Sequence, residues 1–87
     1  MITVTMLAGA SPGVRMFDLN RSLTGMEIER YSSVAEAEAR GGRPPDVLAK
    51  RLLEAGATKV TIYSNAVTVE APPERWGELE PKATFLM

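Results

Sequence analysis

The sequence predicts an α+β fold: a two-layer domain with a mostly antiparallel sheet of about 4-5 strands and two to three helices on one face. Three observations support this class. Residues 1–31 contain three segments with strand-like alternation, residues 33–56 carry helix signals, and residues 59–70 have the pattern of a hairpin. Short connections between these segments favour antiparallel pairing. The 87 residues suit a single domain, 1–87.

The stretch from Lys59 to Glu70 (KVTIYSNAVTVE) predicts a β-hairpin. Apolar and polar residues alternate along both arms, which is the period-two pattern of strands with one buried face. Ser64 and Asn65 separate the arms and suit a tight reversal, because Asn can adopt positive φ at low cost.

Three earlier segments also alternate. Residues 1–7 (MITVTML) predict a first strand, followed by a cluster of turn residues at 8–13 that lacks the Lys and Ser/Thr of a phosphate loop. Residues 14–19 (VRMFDL) predict a second strand with Phe17 as its core anchor. Residues 26–31 (MEIERY) predict a third strand near a sheet edge, where charged residues discourage unwanted pairing.

Two helices are predicted between the third strand and the hairpin. Ser33 and Glu36 form an S-x-x-E capping box, which starts a short helix over residues 35–40 that ends at a glycine pair. Asp46, which follows two prolines, complements the positive end of a longer second helix, and Gly56 ends it. The apolar stripe expected to cover the sheet consists of Val47, Leu48, Leu52, Leu53 and Ala55.

A final helix is predicted from Glu74, with Trp76 and Leu79 on its core-facing side. Pro81 is expected to break or kink this helix, because its ring clashes with the preceding turn. Residues 85–87 form an apolar end that is expected to pack back on the body or to meet another molecule.

Composition restricts the chemistry. The chain has no Cys and no His, which excludes disulfides, thiolate catalysis and imidazole acid–base chemistry. Since no nucleophile–base pair can be assembled, we predict that the protein is not an enzyme and binds no cofactor. Glu74 and Glu78 stand one helical turn apart but offer too few oxygens for a hard cation, so no metal site is predicted.

Charge and hydropathy bear on partners and location. A net charge of −1 gives no electrostatic reason to expect nucleic acid or an anionic membrane as partner. The N-terminus lacks the features of a signal peptide, and no segment is long and apolar enough to span a bilayer. A cytoplasmic location is therefore expected.

Two groups of side chains are candidates for a partner surface. The densest basic group, Arg40, Arg43, Lys50 and Arg51, suits either an acidic partner or a solvated helix surface. The exposed turn at 63–65 serves either recognition or only the reversal of the chain. The candidate surface residues are Arg43, Lys50, Arg51, Tyr63, Ser64 and Asn65.

Five motifs follow one another along the chain: PGVRMF at 12–17, SSVAEA at 32–37, VLAKRLL at 47–53, the hairpin with its preceding turn at 56–69, and WGELEP at 76–81. In order and spacing they resemble the N-terminal domain of the Nfu/NifU-related iron–sulfur cluster scaffold proteins. The corresponding family patterns are P-N-x-x-K-F, S-S/A-x-E-A, P-L-A-x-x-L-F, G-V-x-x-V-F-F-G-D-D-F-I-T-V and W-x-x-L-K-P.

The departures from the family concern polar side chains. Gly13 stands where the family has Asn, Met16 where it has Lys, and Ser64-Asn65 where it has Asp-Asp. Full-length family members hold their cluster on a second domain with a C-x-x-C motif, whereas this chain has no Cys and cannot ligate a cluster through thiolates.

The NifU-like resemblance implies a non-enzymatic protein-interaction domain that takes part in iron–sulfur cluster assembly or delivery without binding the cluster itself. Its partner would be an assembly factor or a recipient protein. An alternative is an unrelated small cytoplasmic binding or structural module, which would form a homodimer by strand addition or through residues 85–87.

Overall fold

The computed structural model describes residues 4–8, 13–19, 22–23 and 27–86. The strands are β1 Val4–Ala8, β2 Val14–Leu19, β3 Ile28–Tyr31, β4 Lys59–Tyr63 and β5 Ala66–Glu70. The helices are α1 Val34–Glu38, α2 Pro44–Ala55 and α3 Trp76–Leu86, the last preceded by a 3₁₀ turn over Pro73–Arg75. Residues 1–3 and 26 of the predicted strands and residues 9–12 of the predicted turn lie outside the described residues.

All five strands pair antiparallel in one sheet, in the order β1-β2-β5-β4-β3. This confirms the predicted two-layer α+β class. The hairpin of β4 and β5 lies inside the sheet, because each arm also pairs with a further strand. Alternation places Val60, Ile62, Val67 and Val69 between the sheet and the helices, where all four are fully buried.

The opposite face of the sheet is covered by none of the described helices, and we call it the helix-free face. Strands β2 to β5 contribute to it the residues that alternate with the core residues. They are Val14, Met16, Asp18, Ile28, Arg30, Lys59, Thr61, Tyr63, Ala66, Thr68 and Glu70. The strand register aligns these residues in rows across the sheet.

Trp76 anchors α3 against the start of β2. Its ring is buried with its centre 6.3 Å from that of Phe17, and its indole N–H donates to the Gly13 carbonyl at 3.0 Å. The same carbonyl accepts the Ala71 amide at 2.9 Å, and the Arg15 guanidinium lies 5.3 Å from the centre of the Trp76 ring. The predicted core positions of Phe17 and Trp76 are confirmed.

Two helix details differ from the sequence predictions. The Ser33 hydroxyl accepts the Glu36 amide at 3.1 Å as predicted, but the Glu36 carboxylate bonds to Ser32 and so does not close the capping box. The break expected at Pro81 is wrong, because α3 continues through it. Pro81 has no N–H to donate to the carbonyl of Gly77, which also faces its ring. Gly77 lies in the first turn of α3, so the lost hydrogen bond affects only the start of the helix.

Candidate functional site

A buried carboxylate, that of Asp46, lies where edge strand β3 meets the start of α2. Its side chain is 1% exposed, although no sequence pattern marked it as buried. The Tyr31 hydroxyl donates to Oδ1 at 2.6 Å, and Arg43 donates from its backbone amide, Nε and Nη2, each at 3.0 Å. A buried charge is tolerated when it is paired and hydrogen-bonded in this way.

Arg43 and Arg40 extend these contacts to β3 and α1. Arg43 Nη1 donates to Glu29 at 3.0 Å, and Arg40 bonds to the other oxygen of the same carboxylate. Arg40 also donates to Glu36 at 2.9 Å, and its guanidinium lies 4.7 Å from the centre of the Tyr31 ring. We call this set the polar cluster: Glu29, Tyr31, Glu36, Arg40, Arg43 and Asp46.

The polar cluster fixes the protonation of its buried members. Burial acts to raise the pKa of Asp46, but the hydrogen bonds from Arg43 and Tyr31 outweigh it and hold this pKa below its usual value. Burial, with the hydrogen bond to Asp46, raises the pKa of the Tyr31 hydroxyl. Hydrogen bonds to Asp46 and Glu29 raise the pKa of Arg43. At neutral pH Asp46 is therefore ionised, Tyr31 is neutral and Arg43 is positively charged. A group that transfers protons needs a pKa near the working pH, so these three groups fit a structural network better than a proton-transfer site.

The structure separates the predicted basic group. Arg40 and Arg43 belong to the polar cluster, and Lys50 Nζ lies 3.0 Å from the Glu38 carboxylate, whose hydrogen bond raises the pKa of the lysine. Arg51 is exposed and makes no ion pair with a described residue. Of the three basic candidates for a partner surface, Arg43 and Lys50 form ion pairs within the described part of the protein, so Arg51 is the one best able to pair with a partner.

Arg51 borders an apolar groove between the first half of α2 and the end of α3. The groove has a volume of about 320 Å³ and is lined by Leu23, Gly42, Pro44, Val47, Leu48, Arg51 and Leu86. Among the described residues that line it, Arg51 carries the one charged side chain. Val47 is 38% exposed, and Phe85, beside Leu86, is 89% exposed. Of the apolar end, Leu86 packs back on the body and Phe85 faces outward, while Met87 lies outside the described residues.

The hairpin turn forms hydrogen bonds with the end of β2 and with the chain that follows it. Asn65 accepts the Leu19 amide at 2.9 Å and returns a side-chain hydrogen bond to the Leu19 carbonyl at 3.1 Å, while Ser64 accepts the Leu23 amide at 2.8 Å. The predicted reversal at Ser64 and Asn65 is confirmed, with positive φ at Ser64 (53°) and not at Asn65. The Asn65 amide is instead used to bond the end of β2.

Tyr63, the remaining candidate, lies on the helix-free face and is 46% exposed. Sequence reasoning missed the other exposed apolar residues of this face, Met16 and Ile28, because each shares its strand face with a charged residue. It also missed the polar cluster. Two ion pairs of this cluster have helical spacing in the sequence, Glu36–Arg40 at 2.9 Å and Arg43–Asp46 at 3.0 Å.

The described residues form neither a cluster of metal ligands nor a membrane-spanning helix. No three of their carboxylates come together in a way that would hold a metal ion. None of their helices has the length and apolar character needed to cross a bilayer.

The geometry defines a small two-layer α+β domain, and comparison with known proteins agrees. The crystal structure of protein SAV1430 from Staphylococcus aureus matches with a TM-score of 0.76 at 15% sequence identity, covering 97% of this chain and 96% of that chain. At this identity the likeness shows the fold alone. No protein-family model and no curated protein matches the sequence.

Proposed function

We propose that this chain is a non-enzymatic protein-interaction domain that takes part in iron–sulfur cluster assembly or delivery without binding the cluster itself. The pathway comes from the resemblance to the Nfu/NifU N-terminal domain. Because the sequence contains no Cys, the chain cannot hold a cluster through thiolates, and the role that we propose for it in this pathway is partner binding.

The observation that carries a binding role is the groove between α2 and α3. Its floor is apolar, it is open to solvent, and its exposed cation is Arg51. A protein segment that presents an apolar side chain beside a carboxylate fits this arrangement, because the side chain would displace water from Val47 and Leu86 while the carboxylate pairs with Arg51. The partner is therefore an assembly factor or iron–sulfur protein with an acidic, apolar segment.

The polar cluster serves this role indirectly. It joins β3, α1 and the start of α2, and the described part of the chain leaves no buried side-chain polar atom without a partner. Because α2 carries both Asp46 and the groove residues Val47 and Arg51, the cluster holds the groove in a fixed geometry.

The test is capture of partners from an extract of the cells that make the protein, with Arg51→Glu as the groove variant. Lys82→Glu is the matched control, since Lys82 is exposed on α3 and does not line the groove. We expect the wild-type chain and Lys82→Glu to retain an assembly factor or an iron–sulfur protein, and Arg51→Glu to lose it.

Two outcomes contradict the proposal in different ways. Capture of no assembly factor and no iron–sulfur protein by the wild-type chain removes the pathway and favours the unrelated module. Capture that is equally strong with Arg51→Glu keeps the pathway but removes the groove as the binding surface.

A further inference from the structure

The helix-free face carries most of the large hydrophobic side chains that are exposed among the described residues. Five large hydrophobic side chains of the described residues are exposed, and three of them lie on this face: Met16 (36%), Tyr63 (46%) and Ile28 (49%). Ile28 and Tyr63 are direct cross-strand neighbours, and Met16 lies across β5 from β4. Exposed apolar side chains that cluster on one face mark interaction surfaces.

The charges of the same face are balanced and ordered. Lys59 on β4 and Glu70 on β5 stand opposite each other at one end of the face, with Nζ and Oε2 3.9 Å apart. Both side chains are about half exposed, so their contact within one chain contributes little to folding. Asp18 lies on β2 and Arg30 on β3, the two outer strands of this four-strand area.

We infer that the occupant of the helix-free face is a second copy of this chain, packed face to face about a twofold axis that runs along the strands between β4 and β5. This operation places β4 of one copy over β5 of the other. Glu70 then faces Lys59 of the second copy at the same height along the strands, and Lys59 faces Glu70 of the second copy. The outer strands exchange in the same way, which places Asp18 over Ile28 and Met16 over Arg30 of the second copy, so the Lys59–Glu70 contacts are the charge pairs that this axis forms.

Charge complementarity selects this axis. An axis across the strands would place Glu70 over Ala66 and Lys59 over Tyr63 of the second copy, and would pair neither charge. The usual rotation of about 30° between stacked sheets does not remove the contact. Lys59 and Glu70 lie two residues, or about 7 Å, from the middle row, so the rotation moves them by less than one strand spacing of about 4.8 Å.

The size of the face sets the strength of the dimer. Four strands with a spacing of about 4.8 Å and five residues of about 3.3 Å each cover roughly 20 by 17 Å. Protruding side chains make the accessible surface larger than this flat area, but it still does not exceed the roughly 800 Å² per partner of a standard stable interface. The expected dimer is therefore weak, and its population rises with protein concentration.

The test is sedimentation equilibrium over a concentration series, with two single charge reversals, Lys59→Glu and Glu70→Lys. Each variant alone places like charges against each other across the twofold axis, and we expect its dimer to be weaker than that of the wild type by about tenfold or more. An equimolar mixture of the two variants faces two lysines with two glutamates, and we expect it to recover dimerisation as a heterodimer.

The mixture separates an intermolecular contact from an intramolecular one, since mixing cannot restore a charge pair within either chain. Lys50→Glu and Glu38→Lys provide the matched control, because they reverse an ion pair of 3.0 Å between α1 and α2, away from the helix-free face. We expect both controls to dimerise like the wild type. A wild-type chain that stays monomeric at millimolar concentration, or single reversals that leave the dimer unchanged, would overturn the inference. It uses a different surface from the proposed groove, so either can fail alone.

Discussion

The Tyr31 hydroxyl donates a hydrogen bond of 2.6 Å to the Asp46 carboxylate, across 15 residues of sequence. Tyr31 ends the edge strand of the sheet, and Asp46 lies in the first turn of α2. This contact joins the sheet to the helix that carries the groove. Both residues are buried, so water cannot replace either partner when the other is removed.

Replacing Tyr31 by Phe tests the strength of this contact. The change removes one hydrogen bond to a charged group and leaves Asp46 bonded to Arg43, so we expect a loss of about 1–2 kcal/mol in the free energy of unfolding. Urea denaturation at pH 7 measures it. Tyr63→Phe is the matched control, because the Tyr63 side chain is half exposed on the helix-free face. A loss of equal size in both variants would contradict the role assigned to Tyr31.

Asp46 also predicts a dependence of stability on pH. Its folded-state pKa is lowered below the ordinary value of 3.8, so its ionised form stabilises the fold. This stabilisation is complete above the unfolded pKa and is lost as the pH falls through the lower folded pKa. We expect Asp46→Asn to be less stable than the wild type at pH 7, by about 2 kcal/mol. We expect the difference to shrink at pH values below 3.8.

Urea denaturation of both proteins at several pH values between 7 and 2 checks this. The difference in the free energy of unfolding between the two proteins removes the contribution of the other carboxylates, because both proteins contain them. A difference that stays constant down to pH 2 would show that Asp46 stabilises the fold by shape and not by charge.

Gly13 is required by a close approach of two backbone segments. A Cβ at this position would lie 2.5 Å from the carbonyl oxygen of Ala71, whose own amide bonds to Gly13. Neither backbone can move without loosening the Trp76 contact, so we expect Gly13→Ala to cost about 1–3 kcal/mol. Gly77→Ala is the control, since nothing lies within 4 Å of a Cβ there. We expect Gly77→Ala to be neutral or to stabilise α3 by up to about 1 kcal/mol.

Thermal and urea unfolding of Gly13→Ala and Gly77→Ala measure these changes in stability. Equal effects of the two substitutions would refute the steric argument.

Local patterns predicted most of the fold. The alternation over residues 59–70 predicts β4 and β5, and the prolines before Asp46 together with Gly56 predict the ends of α2. These signals succeed because a strand or a helix end depends on residues close in sequence. Chain order alone did not fix the strand order, which places β5 between β2 and β4.

The polar cluster and the helix-free face could not be predicted from the sequence, because they depend on which side of each strand the helices cover. On β3 the apolar Ile28 faces outward and the charged Glu29 faces the helices, opposite to what hydrophobicity alone suggests. The reason lies in the connection between α1 and α2, where Arg40 and Arg43 pair with Glu29. No pattern within β3 contains that information.

Pro81 is the clearest local signal that the structure does not follow, and it makes the last prediction. It is exposed within α3 and cannot donate to the carbonyl of Gly77. Replacing it by Ala supplies the missing N–H and removes the ring that faces this carbonyl, while little packing is lost. We expect Pro81→Ala to raise the free energy of unfolding by about 1–3 kcal/mol.

Pro44→Ala is the control, because Pro44 is the first residue of α2, where the backbone N–H has no partner within the helix. We expect this substitution not to raise the free energy of unfolding. Urea denaturation measures both, and a destabilised Pro81→Ala would mean that the proline's fixed φ matters more to α3 than its missing hydrogen bond.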